Sequence, residues 1–529
     1  MGSQINRRTF LDFLGKGTAG LVISSRMAER LLIVPVAEEI VGIAPSGKDT
    51  VVLAKGLKSK LLVSWGEAIS SKDTFGFNND YIAFLPGSND EALLWVNHEY
   101  VDPLFVSNYR GLKERTLEMI ITEQYNVGGT LIKIRKNKKG HWNMVADDPM
   151  NKRITGTTKI PFNWDEPIAG SDHAIGTLAN CSGGVTPWGS ILTCEENYDM
   201  FYGERNLKTG EVNTNESSLG WQEFLNYPPE HYGWVVEVEP NSGKAQKHVA
   251  LGRFAHECAT VAELEDGRVV VYMGDDKANQ CLYKFVGSVP ASLSEGTLYV
   301  ANLGTGNWIP IDWETSEVLQ KKFSNQTEVL IRLRQAARYL GGTPLDRPED
   351  IEIDPVSGHI LVALTNNTSV KNYFGSILQI NEEDGKHDAL TFRPDAFLTG
   401  GEETGFACPD NMAFDAIGNL WFTSDVSTTS MHRDPYKAFK NNALFLVMRE
   451  GSQAGQVLQM ASAPVGAEFT GPQFSDDWKT LFLSVQHPGE DSLQLSELTS
   501  HWPDGGVSIP RPGVITISGP LLDEIQGLV

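Results

Sequence analysis

The sequence predicts an all-β fold, a six-bladed β-propeller with long loops and short helical insertions. Two observations carry this. First, beyond about the first fifty residues the chain consists of short apolar runs bounded by Gly, Pro, Asn and Asp, the pattern of strands and tight turns. Second, four segments repeat an acidic turn, an apolar strand and a polar exit. They begin at Asp266, Asp354, Asp415 and Asp476, and their turns read Asp266-Gly-Arg268, Asp354-Pro-Val-Ser-Gly358, Asp415-Ala-Ile-Gly418 and Asp476-Asp-Trp-Lys479. A unit of this size without helical period is the signature of propeller blades.

Taken in chain order, residues 1–45 read as an export signal and linker. Arg7-Arg8-Thr9-Phe10-Leu11 matches the core of a twin-arginine signal, and a short, weakly apolar stretch runs from Gly17 to Ser25. Residues 46–529 read as one propeller domain. Asp80 to Leu85, Ala92 to Asn97 and Ser190 to Thr193 are strands of further blades. Insertions are expected near 196–232 and 314–345, and the best helical pattern runs from Ser324 to Leu340.

Composition narrows the function. A net charge of −23 opposes binding to nucleic acid, which starts from phosphate neutralisation, and it supplies many oxygen ligands for hard cations. Five cysteines are too few for a disulfide framework, and no zinc-type spacing occurs among them. No run after the leader is long and apolar enough for stable insertion in a membrane. Gly42 to Asp49 nearly spells a phosphate-binding loop, but Asp49 stands where the magnesium-binding hydroxyl belongs.

The chemistry gathers at the strand exits, which a propeller brings around one axis. The densest stretch is Cys181-Ser-Gly-Gly184, read as a thiol before a Gly-Gly turn, followed by a strand that ends on Glu195, Glu196 and Asn197. Soft sulfur beside hard oxygen donors suits a site for more than one kind of metal ion. Further polar clusters are Asn97-His-Glu99, Asp172-His173, His256-Glu257, Arg347-Pro-Glu-Asp350, Pro409-Asp-Asn411 and Gln486-His487. Taken singly, each residue has a plainer role. Cys181 would be a small buried hydrophobe, Glu349 a turn brace, and Arg347 half of a surface ion pair. His256 and His487 could brace a ligand or hold a blade turn.

The motifs Phe75-Gly-Phe-Asn-Asn-Asp-Tyr81, Trp95-Val-Asn-His-Glu-Tyr100, Asn180 to Asn197, Gly252-Arg-Phe-Ala-His-Glu257, Arg347-Pro-Glu-Asp350, Pro409-Asp-Asn411 and Gln486-His-Pro-Gly489 occur in the order found in PhoX-type alkaline phosphatases. The chain resembles that family from about residue 60 to 490. The resemblance implies a six-bladed propeller that hydrolyses small phosphate monoesters in the periplasm or outside the cell, after passing the twin-arginine export machinery. It implies a cluster of Fe3+ and Ca2+ ions, with a metal-held water or oxo species as the attacking group. Cys181 then corresponds to a thiolate ligand of iron, Glu257 and Glu349 to shared carboxylate ligands, and Arg347 to the phosphate clamp, with Glu349 beside it in the catalytic pair. Asp172, Glu195, Glu196 and Asp410 are assigned to calcium or bridging positions. One departure is Ala179, where the family often carries Asn. Two other readings stay open: a calcium-stabilised propeller that binds without turnover, and a different propeller hydrolase such as a lactonase or phosphotriesterase.

Overall fold

The computed structural model describes residues 39–88, 90–111, 114–215 and 217–528. Six blades follow one another around a ring, each with its innermost strand on the axis; all pairings are antiparallel except that of Ala245–His248 with Lys159–Asn163 at the outside of blade 2. The innermost strands of blades 1 to 6 are, in order, Asn79–Pro86, Asn180–Val185, Thr260–Glu263, Pro348–Ile353, Pro409–Phe414 and Glu468–Phe474. The second strands are Glu91–His98, Ile191–Glu195, Val269–Gly274, Ile360–Leu364, Leu420–Ser424 and Leu481–Gln486. The four repeated acidic turns are the hairpins joining these two strands in blades 3 to 6.

The second strands are continuously apolar because both of their faces are covered. Side chains alternate across a strand, so each blade contributes to two cores. In Ile360–Leu364, Ile360, Val362 and Leu364 join the core with blade 3, while Leu361 and Ala363 join the core with blade 5. Val270 and Tyr272 likewise face blade 4, and Val269, Val271 and Met273 face blade 2. Stability therefore comes from inter-blade cores of this kind around the ring.

The N-terminal segment closes the ring. Val52–Leu53 forms the outer edge of blade 5, pairing with Val457–Ser462, and Lys58–Ser64 pairs with the last strand of the chain, Gly513–Ser518, in blade 6. The Arg7-Arg8 motif lies outside the described residues. Among the described residues, Ile40 is buried and exchanges hydrogen bonds with the Gln453 side chain.

The Gly-Gly pair is not a turn. Gly183 and Gly184 sit inside the innermost strand of blade 2, where there is no room for a side chain. A Cβ on Gly184 would stand 2.1 Å from the Ala259 carbonyl oxygen of blade 3. Gly184→Ala is therefore expected to cost about 1–3 kcal/mol through forced backbone displacement, read as a lowered melting temperature.

The two insertions fold as short helices. The helical pattern of Ser324 to Leu340 becomes Gln326–Ile331 and Leu333–Leu340, broken at Arg332, whose ψ of 37° is not helical. Residues 196–232 pack with Leu117–Asn126 into a cap of Phe77, Phe105, Ile120, Phe201, Tyr202 and Trp221 over one end of the ring.

Candidate metal centre

Each blade delivers one donor to the axis from the head of its innermost strand, or just before it. These are Asp80, Cys181, Glu257, Glu349, Asp410 and Glu468, and all six line one pocket of about 180 Å³. The backbone device is shared. In blades 1, 2, 4 and 5 the donor lies in a β-bulge, where two residues oppose one on the second strand: Asp80-Tyr81, Cys181-Ser182, Glu349-Asp350 and Asp410-Asn411. A bulge breaks the side-chain alternation and re-aims one residue, here toward the axis. Two positions before the donor the backbone is left-handed in five blades, at Asn78 (φ 53°), Ala179 (54°), Arg347 (55°), Cys408 (51°) and Gly466 (64°). Asn, as at Asn78, tolerates this conformation more readily than Ala does at Ala179.

A second set comes from the exits of the second strands: Glu99, Glu196, Asp276, Asp425 and His487 from blades 1, 2, 3, 5 and 6. In blade 4, Arg347 supplies the charge instead. Its Nε and Nη2 donate to both oxygens of Asp276 at 2.9 and 2.8 Å, and Nη2 also reaches Glu349 (2.6 Å) and Asp425 (3.2 Å). Burial alone would lower the guanidinium pKa. The carboxylates of Asp276, Glu349 and Asp425 outweigh burial and hold it well above its ordinary value.

Carboxylates far outnumber cationic groups in this pocket. Burial, reinforced by neighbouring carboxylates, pushes Glu99, Glu196, Glu257, Glu349 and Asp410 well above the usual range. Burial also raises Asp80 to about 6 and Glu468 to about 8. The Cys181 thiol, 3.3 Å from both Asp80 Oδ2 and Glu257 Oε1, is driven up by burial and then by those same two charges. Such a cluster is costly without compensating cations.

The donor set fits metal ions. Asp80 Oδ1, Glu196 Oε1, Glu257 Oε2 and Glu468 Oε2 are buried and have no hydrogen-bond partner among the described residues. Ligand atoms fall into three linked triads, each within 4.8 Å: Asp80–Glu99–Cys181, Cys181–Glu196–Glu257 and Glu257–Asp276–Glu349. Sharing of Cys181 and Glu257 between triads is the arrangement expected of adjacent, bridged cations.

Of the residues singled out from sequence, Cys181, Glu196, Glu257, Arg347, Glu349 and Asp410 meet in this pocket. Asp172 does not. It adjoins the edge strand His173–Ile175 of blade 2, its side chain is 91% exposed, and its carboxylate pairs with His173. Glu195 does not either. Strand alternation turns it away from Glu196, and its oxygens are saturated by Lys247 Nζ (2.6 Å) and the Leu178, Gly233 and Trp234 amides. Glu195→Gln is expected to destabilise the fold by about 3 kcal/mol or more, since it strands a buried Lys247, while metal content stays unchanged. Denaturant unfolding and elemental analysis check both halves.

The two uncertain histidines separate. His487 lines the pocket and braces Glu468 through Nε2 at 2.8 Å. His256 stacks on Phe254 and bonds the Gly252 carbonyl, holding the turn before Glu257. Asp80, Glu99, Asp276, Asp425 and Glu468 were not among the candidate donors singled out from sequence. The signal was present in four of them: Asn-His-Glu99, Gly-Asp-Asp276 and Thr-Ser-Asp425 are polar exits equivalent to Cys-Glu-Glu196, and Asp80 stands two residues after a left-handed Asn.

A larger cavity of about 520 Å³ opens at the inner strands' other ends, lined in part by Tyr81, Asp350, Glu352 and Gln473. Asp350 there is spoken for, accepting from the Met412 amide (2.8 Å) and Ser182 Oγ (3.4 Å).

The family model for alkaline phosphatase PhoX matches residues 39–489. No curated protein sequence matches the chain. Among solved structures, Pseudomonas fluorescens PhoX in complex with vanadate, a transition state analogue, is 29% identical, with a TM-score of 0.82 over 91% of this chain and 98% of that one. A Dyadobacter fermentans protein of unknown function is 10% identical, covering 88% of this chain and 100% of its own, with a TM-score of 0.39, too low to carry an argument. The length of the family match, together with the ring of donors that six blades bring to one axis, places this chain in the PhoX family of alkaline phosphatases.

Proposed function

We propose that this chain is a metal-dependent phosphomonoesterase that releases inorganic phosphate from small organic esters, with Ca2+ and Fe3+ as its ions. The observation that carries the reading is the six-blade donor ring with its buried, unpartnered carboxylate oxygens. Cys181, with Asp80 and Glu257 beside it, is the position for iron, because a thiolate is the soft donor of the set. The all-oxygen positions around Glu196, Asp276, Glu349 and Asp410 suit calcium. When bound, such ions supply charge that polarises phosphoryl oxygens and lowers the pKa of water.

The chain's own residues do the positioning. Arg347 is fixed through Nε and Nη2, and the planar fork matches phosphate oxygens in a way that Lys does not. Glu349 holds Arg347 from one side while facing the Glu257–Asp276 triad. Asn97 sets the Cys181 bulge, donating to the carbonyls of Cys181 (2.7 Å) and Ser182 (3.0 Å). The net charge of −23 does not prevent an anionic ester from binding, because distant surface carboxylates are screened.

We also propose export to the periplasm or beyond, on the strength of Arg7-Arg8 in the sequence. Among the described residues, no helix is long and apolar enough to cross a membrane.

Elemental analysis of purified protein, followed by p-nitrophenyl phosphate hydrolysis before and after exhaustive chelation, tests the reading. Iron and calcium together, with hydrolysis lost on chelation, are expected. Calcium without iron and without turnover would favour a structural calcium propeller. Faster cleavage of a lactone or triester in parallel assays would favour another hydrolase.

A further inference from the structure

A second cavity of about 170 Å³ abuts the metal pocket and shares Tyr100, His487 and Glu490 with it. These three are held to one another. The Tyr100 ring lies 6.2 Å from that of His487 at an angle of 27°, and its hydroxyl donates to Glu490 Oε1 at 2.7 Å. The other oxygen of Glu490 accepts from Thr428, which also lines the metal pocket, at 2.7 Å.

Beyond that shared wall the lining changes character. Phe77, Val101, Phe105 and Met200 supply apolar surface, and the Phe77 and Phe105 rings stand 6.4 Å apart. Arg110 is tied to Asp102 Oδ2 and the Ser492 carbonyl, both at 3.0 Å, and His487 on the shared wall to Glu468 at 2.8 Å. A charged group entering here would find no unpaired countercharge. The cavity is a cleft open to solvent on one side, with a mainly apolar floor large enough for one aromatic ring.

We propose that this cavity is a leaving-group subsite that favours phosphate monoesters of aromatic alcohols over those of polyols. The proposal rests on the phosphomonoesterase reading for its substrate, with the phosphoryl group in the metal pocket and the ring behind Tyr100.

The test compares benzyl phosphate with glycerol 2-phosphate on the metal-loaded protein. Both release an alkanol, so the ring is the main variable. Wild type should favour benzyl phosphate by about tenfold in kcat/KM, a modest share of the free energy of burying a ring. Met200→Trp, and Met200→Phe as a smaller filling, place a side chain in the cavity from a half-buried position. Both should bring the ratio close to one, whatever the absolute rates. Binding of benzyl alcohol, followed by ligand-observed NMR, should be present in wild type and lost in both variants. A wild-type ratio near one, or a preference and binding that survive the fillings, would overturn the subsite. Failure to hydrolyse either ester would overturn the phosphatase reading instead, while the binding measurement would still decide the cavity.

Discussion

Arg347→Ala is expected to lower kcat/KM for p-nitrophenyl phosphate by about a hundredfold to a few thousandfold. Arg347 is the guanidinium in a pocket of buried carboxylates, and its Nη2 alone reaches Asp276, Glu349 and Asp425. Removing one partner from such a buried set costs about 3–5 kcal/mol, and each 1.4 kcal/mol is tenfold in rate. The substitution removes the proposed phosphate clamp and the group that holds Asp276 and Glu349 in place. Arg347→Lys should recover only part of the loss, since an ammonium lacks the planar fork whose two nitrogens bond the two oxygens of Asp276. Metal content measured on the same samples separates the two effects. An alanine variant that keeps its metals and its wild-type kcat/KM would remove Arg347 from the mechanism.

Chelated protein is expected to lose stability as pH rises. In the metal-free fold, burial raises Asp80 to about 6 and Glu468 to about 8, from ordinary values of 3.8 and 4.5. The folded state then holds these protons more tightly than the unfolded chain does. Their stabilisation is complete below about pH 4 and is lost as pH rises through the folded values, toward pH 8. The melting temperature of chelated protein is expected to fall by roughly 5–10 °C between pH 5 and pH 8. Metal-loaded protein should not show this fall, because cations replace the protons and bind better to ionised ligands. Thermal scans of both forms across that range decide the matter. A chelated protein equally stable at pH 5 and pH 8 would mean that the cluster does not carry the charge assigned to it.

Much of the fold was legible because blades are local. The hairpin turns at Asp266, Asp354, Asp415 and Asp476 announce themselves through Gly and Asp. The continuous apolar runs after them reflect strands covered on both sides. The helices around Leu117–Asn126 left a weaker trace, since their apolar face packs against another insertion rather than along a repeated surface. Gly183-Gly184 misled because a close approach between blades and a tight turn make the same demand for glycine.

In the metal centre, the sequence by itself determined the kinds of donor: a thiol, carboxylates at strand heads and exits, and an arginine two residues before a glutamate. Those motifs also pointed to the family that the match over residues 39–489 bears out. Only the tertiary structure decided which carboxylates reach the axis. Adjacent residues of a strand face opposite ways, so Glu196 enters the pocket while Glu195 is consumed by Lys247. A residue beside an edge strand lies far from the axis, so Asp172 is left in solvent. Asp80, Glu99, Asp276, Asp425 and Glu468 come together only because ring closure converts positions hundreds of residues apart into neighbours, which no local pattern encodes.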